Sequence, residues 1–351
     1  MKFKRLMALA MAGLLTFAMA GSVYAAPEDE TTAESEAAGE DVSTNPLSGD
    51  IIKKTLKLNE GVTIPAETFT FTFTSVSTNP EGITAPKIPN VTIAYSDADT
   101  YSANGIVKTA KIATVPTFAK SGEYVYTIKE TAGSTTGMTY DQSEYTLRVY
   151  KKFGQDPVCT IQQTKDSAGE AVTDADKVAT ADFTNTYEPV TTLTINKTVE
   201  HPEWATVDSY DFAVAFETTG ISKLDGKKVK VDGTEKDIAS IGTITLKDGG
   251  SAVISDVPAG IKYTVTETIS DETNYKETKI TVKNGDTAEN PVTGKIVTGN
   301  VSENATVVDV VNTFNDITVT GLALNIAPFV AMFAAVAGAI ALYVAAKRHV
   351  R

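Results

Sequence analysis

The feature that most narrows what this chain can fold into is the strict alternation of apolar and small polar residues in its body. Phe69-Thr70-Phe71-Thr72-Phe73, Tyr145-Thr146-Leu147-Arg148-Val149 and Ile280-Thr281-Val282 each repeat with period two. A helix cannot gather such residues on one side, whereas a strand puts every second side chain on the same face. The runs are broken by Gly, Pro, Asn and Asp, and helix signals are nearly absent from the body, so half-buried antiparallel strands are expected throughout.

Three landmarks in this β-rich body occur twice in the same order. Lys54-Thr55-Leu56, Lys129-Glu130-Thr131 and Asn185-Thr186-Tyr187 are echoed by Lys197-Thr198-Val199, Thr266-Glu267-Thr268 and Asn312-Thr313-Phe314. An internal repeat of this length implies two homologous domains, joined near Glu188-Pro189-Val190. The expected organisation is a signal peptide over 1–25, a disordered acidic lead-in over 26–50, β domains over 51–188 and 189–316, and a sorting segment over 317–351.

The flanking segments are read from their charge. Residues 1–25 start with Lys2, Lys4 and Arg5, continue through an apolar stretch and end on Val23-Tyr24-Ala25, the pattern of a secretory signal. Gly321 to Ala346 contains no charged residue and is followed by Lys347-Arg348-His349-Val350-Arg351, as in a membrane span with a cytoplasmic tip. Just before it, Ile317-Thr318-Val319-Thr320-Gly321 resembles the five-residue signal that sortases cut between Thr and Gly, here Thr320 and Gly321. The usual Pro is missing.

Strand parity shows which polar residues face inward. Lys54 shares its face with Ile52, Leu56 and Leu58; Glu130 with Tyr124, Tyr126 and Ile128; Asn185 with Phe183 and Tyr187. The second copy places Lys197, Glu267 and Asn312 likewise among apolar neighbours. Burying an unpaired Lys or Glu is costly, so each trio should meet in its core, with the lysine pKa lowered and the glutamate pKa raised. A neutral ε-amine can attack the Asn side-chain carbonyl carbon while the Glu carboxyl polarises that carbonyl and shuttles protons as ammonia leaves. The alternative left open by the residues alone is a buried ion pair with a hydrogen-bonded Asn and no covalent bond.

Other chemistry is largely excluded. A formal charge of -13, more acidic still in the body between the two basic ends, repels phosphate backbones and argues against nucleic-acid binding. The lone Cys159 rules out a disulfide framework; its spacing from Gln162 is that of an internal thioester, but residues three apart on a strand face opposite sides, which leaves an inert thiol. His201 is the only histidine in the body, so neither a Ser-His-Asp triad nor a His-based metal site can be assembled. The acidic cluster of Glu170, Asp174 and Asp176 reads as a solvated loop. No cofactor and no metal are expected.

The chain resembles sortase-assembled major pilins of Gram-positive bacteria, of the streptococcal T-antigen type with intramolecular isopeptide domains. The resemblance rests on Ile64-Pro65 before Phe69-Thr70-Phe71, Tyr126-Thr127-Ile128-Lys129-Glu130, Thr139-Tyr140-Asp141 before Tyr145, and Phe183-Thr184-Asn185. In the second half it rests on Leu193-Thr194-Ile195-Asn196-Lys197, Asp211-Phe212, Val257-Pro258-Ala259-Gly260 before Tyr263, and Asn312, with Ala327-Pro328-Phe329 and the basic end in the tail. It implies an all-β protein of two tandem Ig-like, CnaB-like β-sandwich domains, in which Lys54 joins Asn185 with Glu130 assisting and Lys197 joins Asn312 with Glu267 assisting. It further implies a cell-surface structural subunit rather than an enzyme. The implied partners are sortase, identical subunits in a covalent polymer, peptidoglycan, and minor pilins or host ligands.

By the same resemblance, the lysine that joins subunits precedes the first-domain Asn and is followed by Val; Lys177-Val178 holds that place, one residue off the family spacing. Lys151 and Lys152, after Val149-Tyr150, are the competing lysines. The rival reading of the whole chain is a monomeric wall-anchored adhesin.

Overall fold

The computed structural model describes residues 45–202, 209–218 and 220–315. The signal peptide assigned to 1–25 and the sorting segment with Thr320 and Gly321 lie outside the described residues. Among the described residues no helix is long and apolar enough to cross a membrane, and the only helical element is the 3-10 turn Glu272–Asn274.

Everything else regular is strand, as the alternation requires. In Glu67–Asn79, Phe69, Phe71 and Phe73 are buried while Thr68, Thr70, Thr72 and Thr74 are not. The strands form four sheets packed as two sandwiches. In the first, a 7-stranded sheet runs Asn45–Pro46, Val158–Lys165, Glu144–Lys151, Gly122–Thr131, Glu67–Asn79, Val91–Tyr95, with Lys177–Val178 also on the edge of Val158–Lys165. The facing 4-stranded sheet runs Ile106–Lys111, Asp50–Leu58, Ala181–Tyr187, Met138–Thr139. Ile52, Leu56 and Phe183 of the smaller sheet share one core with Phe71, Ile128 and Leu147 of the larger.

The second sandwich pairs an 8-stranded sheet with a 4-stranded one. Val190–Glu200 and Thr306–Phe314 lie side by side in the larger sheet, flanked by Ser251–Pro258 and Tyr275–Asn284. Tyr210–Glu217 and Lys262–Thr268 are the central strands of the smaller, and a separate core forms around Leu193, Phe212, Ile254, Val265 and Val310.

In both sandwiches the first long strand and the last are adjacent and parallel. Ala181–Tyr187 pairs with Asp50–Leu58, and Thr306–Phe314 pairs with Val190–Glu200. The sandwiches meet through a buried polar joint. Asn59 is 1% exposed; its Nδ2 donates to Ser222 Oγ (2.7 Å) and to the carbonyl of Ala259 (2.8 Å), and its Oδ1 accepts from Ile221 N (3.1 Å). Gly260, at φ +80°, sits against it, where an added Cβ would come within 2.6 Å of Asn59 Cβ and 2.9 Å of the Glu60 carbonyl. Only glycine tolerates both that φ and that approach.

A disordered lead-in is expected over 26–50, but its last six residues are ordered: Asn45–Pro46 pairs with Val158 and Cys159, Leu47 is 0% exposed, and Asp50 opens the first long strand. Acidic composition hid this, because one buried leucine and a two-residue pairing leave no periodic trace.

Candidate functional site

Each core holds one polar trio, brought together by sheet topology. In the first sandwich Lys54 and Asn185 come from the adjacent parallel strands, where Lys54 lies opposite Phe183 and Asn185 opposite Leu56. Glu130 arrives across the core from the facing sheet. The second sandwich repeats the offset: Lys197 lies opposite Val310 and Asn312 opposite Val199, with Glu267 on the facing sheet. Two residues of stagger on neighbouring strands keep both side chains on one face and within reach of each other.

In the first site Lys54 Nζ lies 2.7 Å from Glu130 Oε2, and both side chains are fully buried. Asn185 Nδ2 donates to the other oxygen, Oε1, at 2.5 Å, so the carboxylate bridges the amine and the amide. Asn185 Oδ1 accepts from the main-chain N–H of Asp141 at 2.8 Å. In the second site Lys197 Nζ is 3.1 Å from Glu267 Oε1, and Asn312 Nδ2 donates to that same oxygen at 3.0 Å. Glu267 Oε2 and Asn312 Oδ1 are buried and have no hydrogen-bond partner.

Burial dominates the electrostatics. It lowers the Lys54 pKa against the opposing pull of Glu130, and it raises the Glu130 pKa against Lys54. Both shifts favour the neutral pair, in which the proton has moved from ammonium to carboxyl. Burial likewise lowers the Lys197 pKa. A neutral amine is the nucleophile that amide attack needs, and the protonated carboxyl is the acid that can activate the amide and release ammonia.

Three residues at the sites, Phe69, Tyr210 and Asp141, have roles that side-chain alternation does not reveal. Lys54 Nζ sits 4.6 Å from the Phe69 ring centroid, and Lys197 Nζ 4.4 Å from that of Tyr210. The two rings occupy equivalent places, since Glu130 pairs with Phe71 and Glu267 with Phe212, and each ring lies two residues earlier. The signal existed as an aromatic two positions before the partner of each Glu, but strand register is needed to see it. Asp141 closes the run Thr139-Tyr140-Asp141, and its contact with Asn185 comes from a loop, which parity does not reach.

Other singled-out residues sit apart from the trios. Lys177 is exposed on the two-residue edge strand Lys177–Val178, opposite Gln162. Lys151 donates to the Gln155 carbonyl and Lys152 is exposed. Cys159 is fully buried, burial pushes its thiol up to about 11, and Gln162 Nε2 donates to the Ala175 carbonyl at 2.6 Å, so the two are not joined in a reactive pair.

Residues 51–188 match the family described as Spy0128-like isopeptide containing domain. Residues 191–313 match a domain family of unknown function, DUF7601. A pilin of Streptococcus pyogenes serotype M1 is 28% identical over 323 residues, spanning 82% of this chain and 88% of the relative. Among solved structures, the S. pyogenes major pilin T-13 is 24% identical and covers 78% of this chain and 100% of its own, with a TM-score of 0.36. Another S. pyogenes major pilin is 25% identical over 75% of this chain and 96% of its own, also with a TM-score of 0.36.

Proposed function

We propose that this chain, a pilus structural subunit of the streptococcal major-pilin type, is a shaft subunit strengthened by two self-formed isopeptide bonds, Lys54–Asn185 and Lys197–Asn312. The observation that carries the reading is the pair of buried Lys–Glu–Asn trios, each with Lys and Asn on the parallel first and last strands of its sandwich. In this reading Glu130 and Glu267 assist the bond and are not consumed. The sandwiches are Ig-like domains bounded near 51–188 and 189–316.

The placement suits a load-bearing role. Tension entering by the first strand and leaving by the last shears two neighbouring parallel strands past each other. An amide between them passes the load along covalent bonds and spares the hydrogen-bond ladder and the core.

Export and assembly complete the proposal. Residues 1–25 direct secretion, a sortase cuts between Thr320 and Gly321, and Thr320 is joined to Lys177 of the next subunit or to a peptidoglycan amine. The exposure of Lys177, on an edge strand away from the buried trios, supports its assignment over Lys54 and Lys197, whose amines are inside the cores. The test is the cell-wall extract. A ladder of multimers resistant to boiling in detergent is expected, collapsing to monomer on Lys177→Ala; a single band in the parent would favour a monomeric wall-anchored adhesin. Purified body should weigh two ammonias less than its sequence, and an unreduced mass would refute the isopeptide bonds.

A further inference from the structure

We infer that Asp141 is a positioning residue that fixes a main-chain oxyanion donor at the first cross-linking site, a device that the second site lacks. The inference rests on the proposed Lys54–Asn185 bond. When Lys54 Nζ attacks Asn185 Cγ, the new C–N bond forms and the carbonyl electrons move onto Oδ1. Charge therefore develops on the atom that already accepts the Asp141 N–H at 2.8 Å. The Cγ–Nδ2 bond then breaks as Glu130 passes the surplus lysine proton to Nδ2, and ammonia leaves. A preorganised N–H at a developing oxyanion lowers the barrier because its orientation is set before the reaction begins.

The Asp141 carboxylate supplies that orientation. It is 8% exposed; its Oδ1 accepts from Ser143 N at 2.8 Å and its Oδ2 from Thr184 N at 2.5 Å. Thr184 immediately precedes Asn185, so the side chain ties its own loop to the strand that carries the reacting amide. Both oxygens are occupied by N–H donors.

The reason lies in the strand beside the Asn. The two-residue strand Met138–Thr139 pairs only with Thr186 and Tyr187 and stops short of Asn185; the chain then leaves the ladder, and Asp141 N meets the Asn185 side chain instead of a strand carbonyl. Asn312 is flanked instead by the ten-residue strand Tyr275–Asn284, where it lies opposite Thr278 and the pairing continues on both sides, with one irregularity between Tyr275 and Glu277. No loop N–H reaches Asn312, and its Oδ1 is left without a partner.

The test uses the full chain made by pulse-labelled cell-free synthesis, quenched at intervals and digested, with both linked peptides quantified. Two variants are compared with the parent: Asp141→Ala, and a backbone ester at 141, which deletes the N–H and keeps the carboxylate. Each is expected to slow formation of the Lys54–Asn185 peptide roughly 100-fold, while the Lys197–Asn312 peptide of the same molecules forms at the parental rate. Asp141→Asn, with one acceptor oxygen left, should fall between. A parental rate in the ester variant overturns the inference and leaves the isopeptide reading intact; a parent that never yields the linked peptide overturns that reading itself. If Asp141→Ala does not fold, the ester carries the kinetic result. A further readout uses the unreactive Lys54→Met chain: the Asn185 side-chain carbonyl carbon should resonate downfield of that of Asn312 and move upfield with the ester. An unmoved resonance counts against the proposal.

Discussion

The two sandwiches hold the same three side chains at the same strand offsets, yet their hydrogen bonds differ. Around Asn185 every polar atom is engaged: Glu130 divides its oxygens between amine and amide, and Asp141 N–H caps the carbonyl. Around Asn312 one oxygen of Glu267 takes both contacts, leaving its other oxygen and the amide carbonyl unpartnered. Those two orphans sit on a hydrogen-bonded pair of side chains, so the second core leaves buried polar capacity unused where the first leaves none. The comparison separates what the repeat preserves, the trio and its register, from what the local chain path decides, the donor to the carbonyl.

The largest effect should come from deleting the assisting carboxylates one at a time. Glu130→Ala and Glu267→Ala should each restore one ammonia to the intact mass, and each should lose the restraint on a loop on the order of 100 residues, worth on the order of 5 kcal/mol. Mass spectrometry and thermal melting would read both. Because loop entropy varies only with the logarithm of length, the two losses should be similar; a variant that keeps its bond would break the equivalence of the sites.

A smaller effect separates linked from unlinked cores by pH. In Asn185→Ala the bond cannot form, and Lys54 and Glu130 stay titratable. Burial lowers Lys54, so between its folded pKa and the ordinary 10.5 the unfolded chain holds more protons and stability rises with pH. Burial raises Glu130, so above the ordinary 4.5 the folded chain holds more protons and stability falls as pH rises through its folded pKa. The variant should be weakest between those limbs, whereas the linked parent lacks the alkaline limb because Nζ has become an amide nitrogen. For Asn312→Ala the lowered Lys197 predicts the same alkaline limb. Urea midpoints across pH would show it, and a flat profile would contradict the assigned directions.

Asn59→Ala probes whether the two sandwiches respond as one unit. It removes the donor to the Ala259 carbonyl and the acceptor of the Ile221 N–H, while Ser222 keeps its bond to Glu188; the loss should be about 1–3 kcal/mol, and calorimetry should resolve one melting transition into two. The smallest effect is expected next door to the reactive lysine. Lys53 pairs with Asp182 at 2.7 Å, but its side chain is 40% exposed, so Lys53→Ala should cost below about 1 kcal/mol and leave the mass deficit unchanged. A large loss at Lys53 would undo the assignment of faces in that strand.

That assignment shows how far the sequence reaches. Period-two patterning located the strands and, through parity, separated Lys53 from Lys54 and picked out all six residues of the trios, because side-chain direction along a strand is a local property. The repeat likewise set the expectation of two domains without any contact being known. Leu47, Phe69, Tyr210 and Asp141 escaped, since their roles depend on which strand lies beside which and where a neighbouring strand stops. The parallel adjacency of first and last strands, the ring under each amine and the N–H on Asn185 alone are long-range pairings. Residues far apart in the chain decide them together, and only the tertiary structure brings those residues into one place.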